Sequence, residues 1–218
     1  MDKLPLRLIV LDGFTLYEEA HTLQRGIVSS RVADEVPDTL IMLQHPPVIT
    51  VGYNGSESDI TAAPRVLAEN RITVHKTERG GQVTYHGPGQ VVGYAIIDLL
   101  ALKIGVEAFV TGLEEALIRT AESLDVHAFR KKGAPGVYCD QGKIGAIGVR
   151  VTRGVTYHGF SFNAAPNLDH YKFIRPCGMT FADVTSVAAV RGTCPPFETV
   201  RDRLADAFIE VFNRKIVS

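Results

Sequence analysis

The chain has 218 residues, 45% of them hydrophobic and 22% charged, which suits one domain with a sizeable core and leaves little room for two. Its 23 basic and 24 acidic residues give a net charge of −1 with no basic stripe, so general nucleic-acid binding is not expected. No apolar run approaches a membrane span, and the start MDKLPLRLIVLDGF is not organised as a signal peptide. The three widely spaced cysteines, Cys139, Cys177 and Cys194, form neither a disulfide framework nor a zinc pattern. A cytoplasmic protein with no membrane attachment, no nucleic-acid partner and no bound metal is expected.

Leu6 to Leu11 reads as a strand. Thr15 to Val32 follows as an amphipathic helix with Leu16, Ala20, Leu23 and Ile27 on its apolar face. TLIMLQH (Thr39–His45) and PVITVG (Pro47–Gly52) are short apolar strands split at Pro46-Pro47, then Ala63–Asn70 a short helix and ITVHKT (Ile72–Thr77) a strand. Gln82–His86 and GQVVGYAIIDL (Gly89–Leu99) are expected to pair as a hairpin across the Gly87-Pro88-Gly89 turn. Val106–Leu124 is the clearest helix, with Phe109, Leu113, Ala116, Leu117, Ala121 and Leu124 on one face. GVYCD, KIGAIGVRV and GVTYHGFSFNAA are strands separated by Gln141-Gly142 and Arg153-Gly154, the spacing of an antiparallel meander. A last helix runs from Phe197 to Phe212. Strands and helices do not alternate regularly, so the fold class is α/β (α+β), a single mixed-sheet domain over residues 1–218 with flanking helices.

Cys177 lies between Pro176 and Gly178, where proline fixes the chain on one side and glycine admits a ligand carbonyl on the other. That placement suits a nucleophile, although a free cysteine is more often a small buried apolar residue. Lys143 opens KIGAIGVRV, where a lysine is ordinarily a solvated strand end; beside Cys177 it would favour the thiolate. Gly145 falls on one face of this strand, Ala146 and Gly148 on the other. The gaps line a narrow groove or mark close packing. Arg79 with Gly80-Gly81 has the makings of an anion site, and His86 and His158 each close a Tyr-His-Gly triplet, His86 more as a structural hydrogen-bonder than a base. No phosphate-binding loop or dinucleotide fingerprint is present, so neither ATP nor a dinucleotide is expected.

Three blocks in order, RGGQVTYHGPGQVVGYAIIDL, APGVYCDQGKIGAIGVRV and GVTYHGFSFNAAPNLDHYKFIRPCG, resemble the signature blocks of lipoyl(octanoyl) transferases, within a matching region from Leu40 to Ser186. The resemblance implies the catalytic fold of biotin and lipoate protein ligases. It also implies transfer of an octanoyl group from the phosphopantetheine thioester of acyl carrier protein to one lysine of a lipoyl domain. Acceptors in such a family are 2-oxoacid dehydrogenase E2 subunits and the glycine cleavage H protein, and no cofactor is needed beyond the donor's own phosphopantetheine. By match of motif, Cys177 in RPCGM corresponds to the acyl-accepting nucleophile and Lys143 in GKIGAIG to its partner. Arg79, Gly80, Gly81, Gln82, Val83, Thr84, Tyr85 and His86 correspond to the acyl pocket, with Ala146, Ile147, Gly148, Gly159, Phe160 and Ser161. The chain departs from the family pattern at Tyr53-Asn54, where arginine is usual, at Asp183 and at Ser161. Arg130, Lys131 and Lys132, the most basic cluster, are the candidate contact for an acidic carrier, although such a run is more often a solvated loop.

Overall fold

The β-branched runs become eleven strands in the computed structural model, which describes residues 3–175 and 183–217. The strands are β1 (Leu4–Phe14), β2 (Asp38–Gln44), β3 (Val48–Val51), β4 (Thr73–Lys76), β5 (Val83–His86), β6 (Gln90–Ile96), β7 (Phe129–Lys131), β8 (Ala134–Cys139), β9 (Gly142–Thr152), β10 (Val155–Asn163) and β11 (Arg214–Val217). The helices are α1 (Tyr17–Val32), α2 (Pro64–Glu69), α3 (Leu99–Leu102), α4 (Val106–Ser123), α5 (Val187–Arg191) and α6 (Phe197–Val211). An eight-stranded mixed sheet runs β11-β1-β2-β6-β10-β9-β8-β7, and a three-stranded sheet runs β4-β3-β5. The β8-β9-β10 meander forms as its turn residues predict.

Helices cover both faces of the large sheet. On one face α4 and α6 bury Phe109, Leu113, Leu117, Leu204 and Phe208 against Leu40, Met42, Val91 and Phe162. Each such side chain contributes about 1.5–3 kcal/mol by leaving water. On the other face α1 sets Ala20, Ile27 and Val28 against Ile41, Val92, Tyr94 and Tyr157. The inward set of α1 is Tyr17, Ala20, Gln24, Ile27 and Val28, while Leu16 and Leu23 are exposed, against expectation. Both sets have helical spacing, and Leu16 lies before the first turn. Tyr17 and Gln24 win because they have polar partners inside: the Tyr17 hydroxyl donates to Thr77 Oγ1 at 2.8 Å, and Gln24 Oε1 accepts from His158 N at 2.8 Å.

The hairpin expected across Gly87-Pro88-Gly89 does not form. β5 pairs antiparallel with β3 in the small sheet, and β6 enters the large sheet between β2 and β10. All seven residues of β6 are buried, so its apolar run serves as a strand covered on both faces rather than as a hairpin arm. The turn therefore carries the chain from one sheet to the other. Gly87 is needed there because a Cβ would run into the Tyr85 hydroxyl. Tyr85 itself fills the core of the small sheet with Ile49, Leu67 and Tyr171. The short strand β11 extends the large sheet parallel to β1.

Candidate active site

Where the small sheet faces the large one, a cleft of about 810 Å³ opens, its mouth included. Strand alternation and register build its floor. Ala146 pairs with Ser161 and Gly148 with Gly159 across β9 and β10, so four small residues share one flat surface. Val92, Tyr94, Asn163 and Tyr171 complete that side, and Arg79, Gly81, Gln82, Val83, Thr84 and His86 form the opposite lip. Ile147 and Phe160 also border the cleft, while both pack toward the α4–α6 core. Gly80 and Tyr85 do not line it. Gly80 N is bonded to Val149 O at 3.1 Å, and Tyr85 lies behind the lip with its hydroxyl 2.7 Å from His170 Nδ1.

The two glycine gaps of β9 have different purposes. A Cβ on Gly145 would lie 3.2 Å from Leu117 Cδ1, so this gap lets α4 pack closely. A Cβ on Gly148 would lie 2.8 Å from Gly80 O, so this one seats the Arg79–Gly81 turn.

Arg79 is buried and its guanidinium shapes the lip. Nε donates to Thr50 Oγ1 at 3.0 Å, Nη1 to Gly80 O at 3.0 Å, and Nη2 to Thr50 O at 2.7 Å and Gln82 O at 2.8 Å. These bonds clamp the Arg-Gly-Gly turn to β3, in place of the anion site its sequence offers.

Lys143 stands at one end of the cleft. Its Nζ donates to Pro135 O at 2.9 Å and lies 5.4 Å from the centre of the Tyr138 ring. Gly136 makes room for it: a Cβ there would be 2.6 Å from Lys143 Cε, and its φ of +118° is closed to most other residues. The Lys143 backbone receives the chain beyond residue 182, bridging Val184 and accepting from Thr185 N at 3.0 Å. At the other side Arg175 N donates to Asp59 O at 2.8 Å. Cys177, which follows Arg175 and precedes Asp183 in the sequence, lies outside the described residues.

The remaining polar wall is uncharged near neutral pH. His86 Nδ1 is 2.6 Å from Gln90 Oε1, and Gln90 Nε2 reaches Asn163 Oδ1 at 2.8 Å and the Tyr171 hydroxyl at 2.9 Å. Burial, reinforced by nearby His45, brings the pKa of His86 down to about 3. Burial likewise lowers His158 to about 3 and His45 to about 4, and raises Tyr171 to about 12. His45 bridges Thr15 O and the Tyr94 hydroxyl at 2.6 and 2.7 Å. Neutral rings and small residues leading to an ammonium group suit an apolar chain that ends in a polar reacting centre.

Tyr17, Tyr94, Asn163 and Tyr171 are cleft residues that the sequence analysis does not single out. Buried polar positions within apolar patterns were the available signal, and only the fold shows that they converge. Cys139 is buried at the end of β8 with its thiol on Gln141 Oε1, and burial raises the thiol pKa of Cys194. The basic cluster is partly neutralised. Arg130 pairs with Glu114 at 3.2 Å and Glu115 at 2.8 Å, and Lys131 lies 4.5 Å over the Tyr138 ring.

Residues 16–209 match the family described as Lipoyl protein ligase A/B catalytic domain. An octanoyltransferase of Alkaliphilus metalliredigens is 43% identical over 202 residues, covering 92% of this chain and 93% of its own. Among solved structures, a bipartite lipoate protein ligase from Thermoplasma acidophilum superposes with a TM-score of 0.70 at 14% identity, covering 100% of this chain and 88% of that one. A biotin protein ligase from Aquifex aeolicus, with biotin and ATP, gives 0.58 at 10% identity, covering 94% and 70%. The last two speak for the fold alone, and that fold is the one expected.

Proposed function

The chain belongs to the lipoyl protein ligase A/B catalytic-domain family, is an acyltransferase like its octanoyltransferase relatives, and on that premise we propose that it moves octanoyl groups through a cysteine thioester. The donor in this reading is octanoyl-acyl carrier protein, and the acceptor is one lysine on a lipoyl domain of an E2 subunit or glycine cleavage H protein. The observation that supports it is the cleft itself, with a floor of Ala146, Gly148, Gly159 and Ser161 and Lys143 at one end. Burial of an eight-carbon chain there is worth several kcal/mol, at about 0.8 kcal/mol per methylene, which favours octanoyl over acetyl.

The Cys177 thiolate, paired with the Lys143 ammonium, attacks the thioester carbonyl; a new C–S bond forms, the bond to pantetheine sulfur breaks, and the pantetheine thiolate leaves with a proton from Lys143. One thioester replaces another, so the step needs no ATP. The acceptor amine then attacks the octanoyl-cysteine, forms the amide and returns the Cys177 sulfur. An amine of pKa about 10.4 is almost wholly protonated near neutral pH, so it needs a base. Lys143, left neutral once it has given its proton to the departing pantetheine thiolate, takes that role, its Nζ oriented by Pro135 O. Gly80 N–H is already bonded within the protein, which removes it as a donor to the tetrahedral oxyanion.

Intact mass after incubation with octanoyl-acyl carrier protein tests the reading. A single octanoyl adduct on the wild type, released by hydroxylamine and absent from Cys177→Ser, is expected. Absence of the adduct on folded protein, with pyrophosphate released from ATP in the presence of octanoate, would replace it by adenylate chemistry.

A further inference from the structure

We propose that His21, Glu78 and His158 form a binding site for a divalent transition-metal ion, zinc by its donors, on the α1 side of the cleft wall. One donor atom from each residue lies within 4.8 Å of the other two. His21 Nε2 stands 3.4 Å from Glu78 Oε2, and the His21 and His158 rings are 5.5 Å apart at 14°. Donors on one tetrahedral ion, each about 2.1 Å from it, sit about 3.4 Å apart, so small side-chain rotations close the set.

His158 supplies the second, independent observation. It is 1% exposed, and its Nδ1 has no hydrogen-bond partner. Its Nε2 is 3.5 Å from Thr77 Oγ1, a hydroxyl oxygen that already accepts from Tyr17. A buried nitrogen left without a partner costs about 1–3 kcal/mol, so such groups call for an explanation. Gln24 Nε2, fully buried beside it, also lacks a partner.

Glu78 is arranged for the task. Its Oε1 accepts from Arg25 Nη1 at 3.0 Å and from the Tyr157 hydroxyl at 3.3 Å, while Oε2 turns toward the histidine. Two imidazoles and a carboxylate form the nitrogen and oxygen donor set that zinc accepts. The ion would tie α1, the segment before Arg79 and β10 into one wall.

The test uses the full chain as Cys177→Ala, which removes a competing thiolate. Zinc is titrated against a chromophoric chelator, and cobalt is followed by visible absorption. One equivalent per chain is expected, with a raised Tm and a cobalt spectrum free of thiolate charge transfer. His21→Gln and His158→Gln should each weaken binding about tenfold or more. His21 is only partly buried on α1, so its variant separates lost ligation from lost folding. Failure to saturate at micromolar zinc, affinity unchanged in the double variant, or a thiolate band from cobalt would each overturn the site.

Discussion

The triplet Tyr-His-Gly occurs twice at this cleft, at Tyr85-His86-Gly87 and at Tyr157-His158-Gly159, and the two copies behave oppositely. In the first, Tyr85 turns into the small-sheet core and His86 reaches the cleft with its Nδ1 bonded to Gln90. In the second, His158 has a left-handed φ of +56° inside a strand whose register is otherwise unbroken. That twist brings its ring beside Tyr157 and His21, on the α1 side, although simple alternation would send it to the opposite face. Left-handed backbone costs a non-glycine residue about 1–2 kcal/mol. The first triplet is an ordinary strand end with satisfied side chains. The second is strained, and its imidazole is incompletely bonded.

Four measurements sharpen or break this contrast. The largest effect belongs to Tyr85→Ala, which empties the centre of the small-sheet core and should cost about 3–5 kcal/mol in urea unfolding. A loss below about 1 kcal/mol would mean that the small sheet does not depend on it. Next comes acid. His86 and His158 titrate at about 3 in the fold and at about 6.5 in an unfolded chain. Between those values the unfolded chain binds protons that the folded one refuses, so stability falls as pH drops below about 6.5. The loss at pH 5 is about 2 kcal/mol for each histidine, and either His→Gln variant should flatten the curve. His86→Ala at neutral pH should cost about 1–3 kcal/mol, since Gln90 Oε1 loses its partner inside the protein. The smallest effect is the most diagnostic. At position 158 glycine should be about 1 kcal/mol more stable than alanine, because it relieves the left-handed strain. At position 86, where φ is not positive, alanine should be the more stable of the two by about 0.5–1 kcal/mol. The same order at both positions would dissolve the distinction between the triplets.

Much of the molecule was legible before its structure. Helices α4 and α6 announced themselves by period, the β8-β9-β10 meander by Gly142 and Gly154, and the cleft floor by the alternation of Ala146 and Gly148 against Gly145. Locality set the limit. Gly87-Pro88-Gly89 looks like a hairpin turn because the strands on either side are neighbours in sequence. Their true partners, β3 for one strand and β2 with β10 for the other, lie far along the chain. The inward face of α1 was misread because Tyr17 and Gln24 are polar, and their reasons for burial are Thr77 and His158. Strand β11 has four residues with a lysine among them and depends on β1 for its existence. Tyr53, where the family pattern usually has arginine, packs its ring 5.0 Å from the Arg150 guanidinium, so a cation stands nearby after all.

The three-residue turn after β5 also governs how the cleft can open. His86 and Gln90, the residues on either side of it, are bonded to each other, so the two sheets are cinched together at that corner. Across from it, the lip meets β9 through the backbone bond from Gly80 to Val149. A clasp closed at one corner admits its guest by lifting at the other. The motion that lets a chain in should therefore be a swing of residues 79–82 away from Val149, and amide exchange at Gly80 is where that swing would be timed.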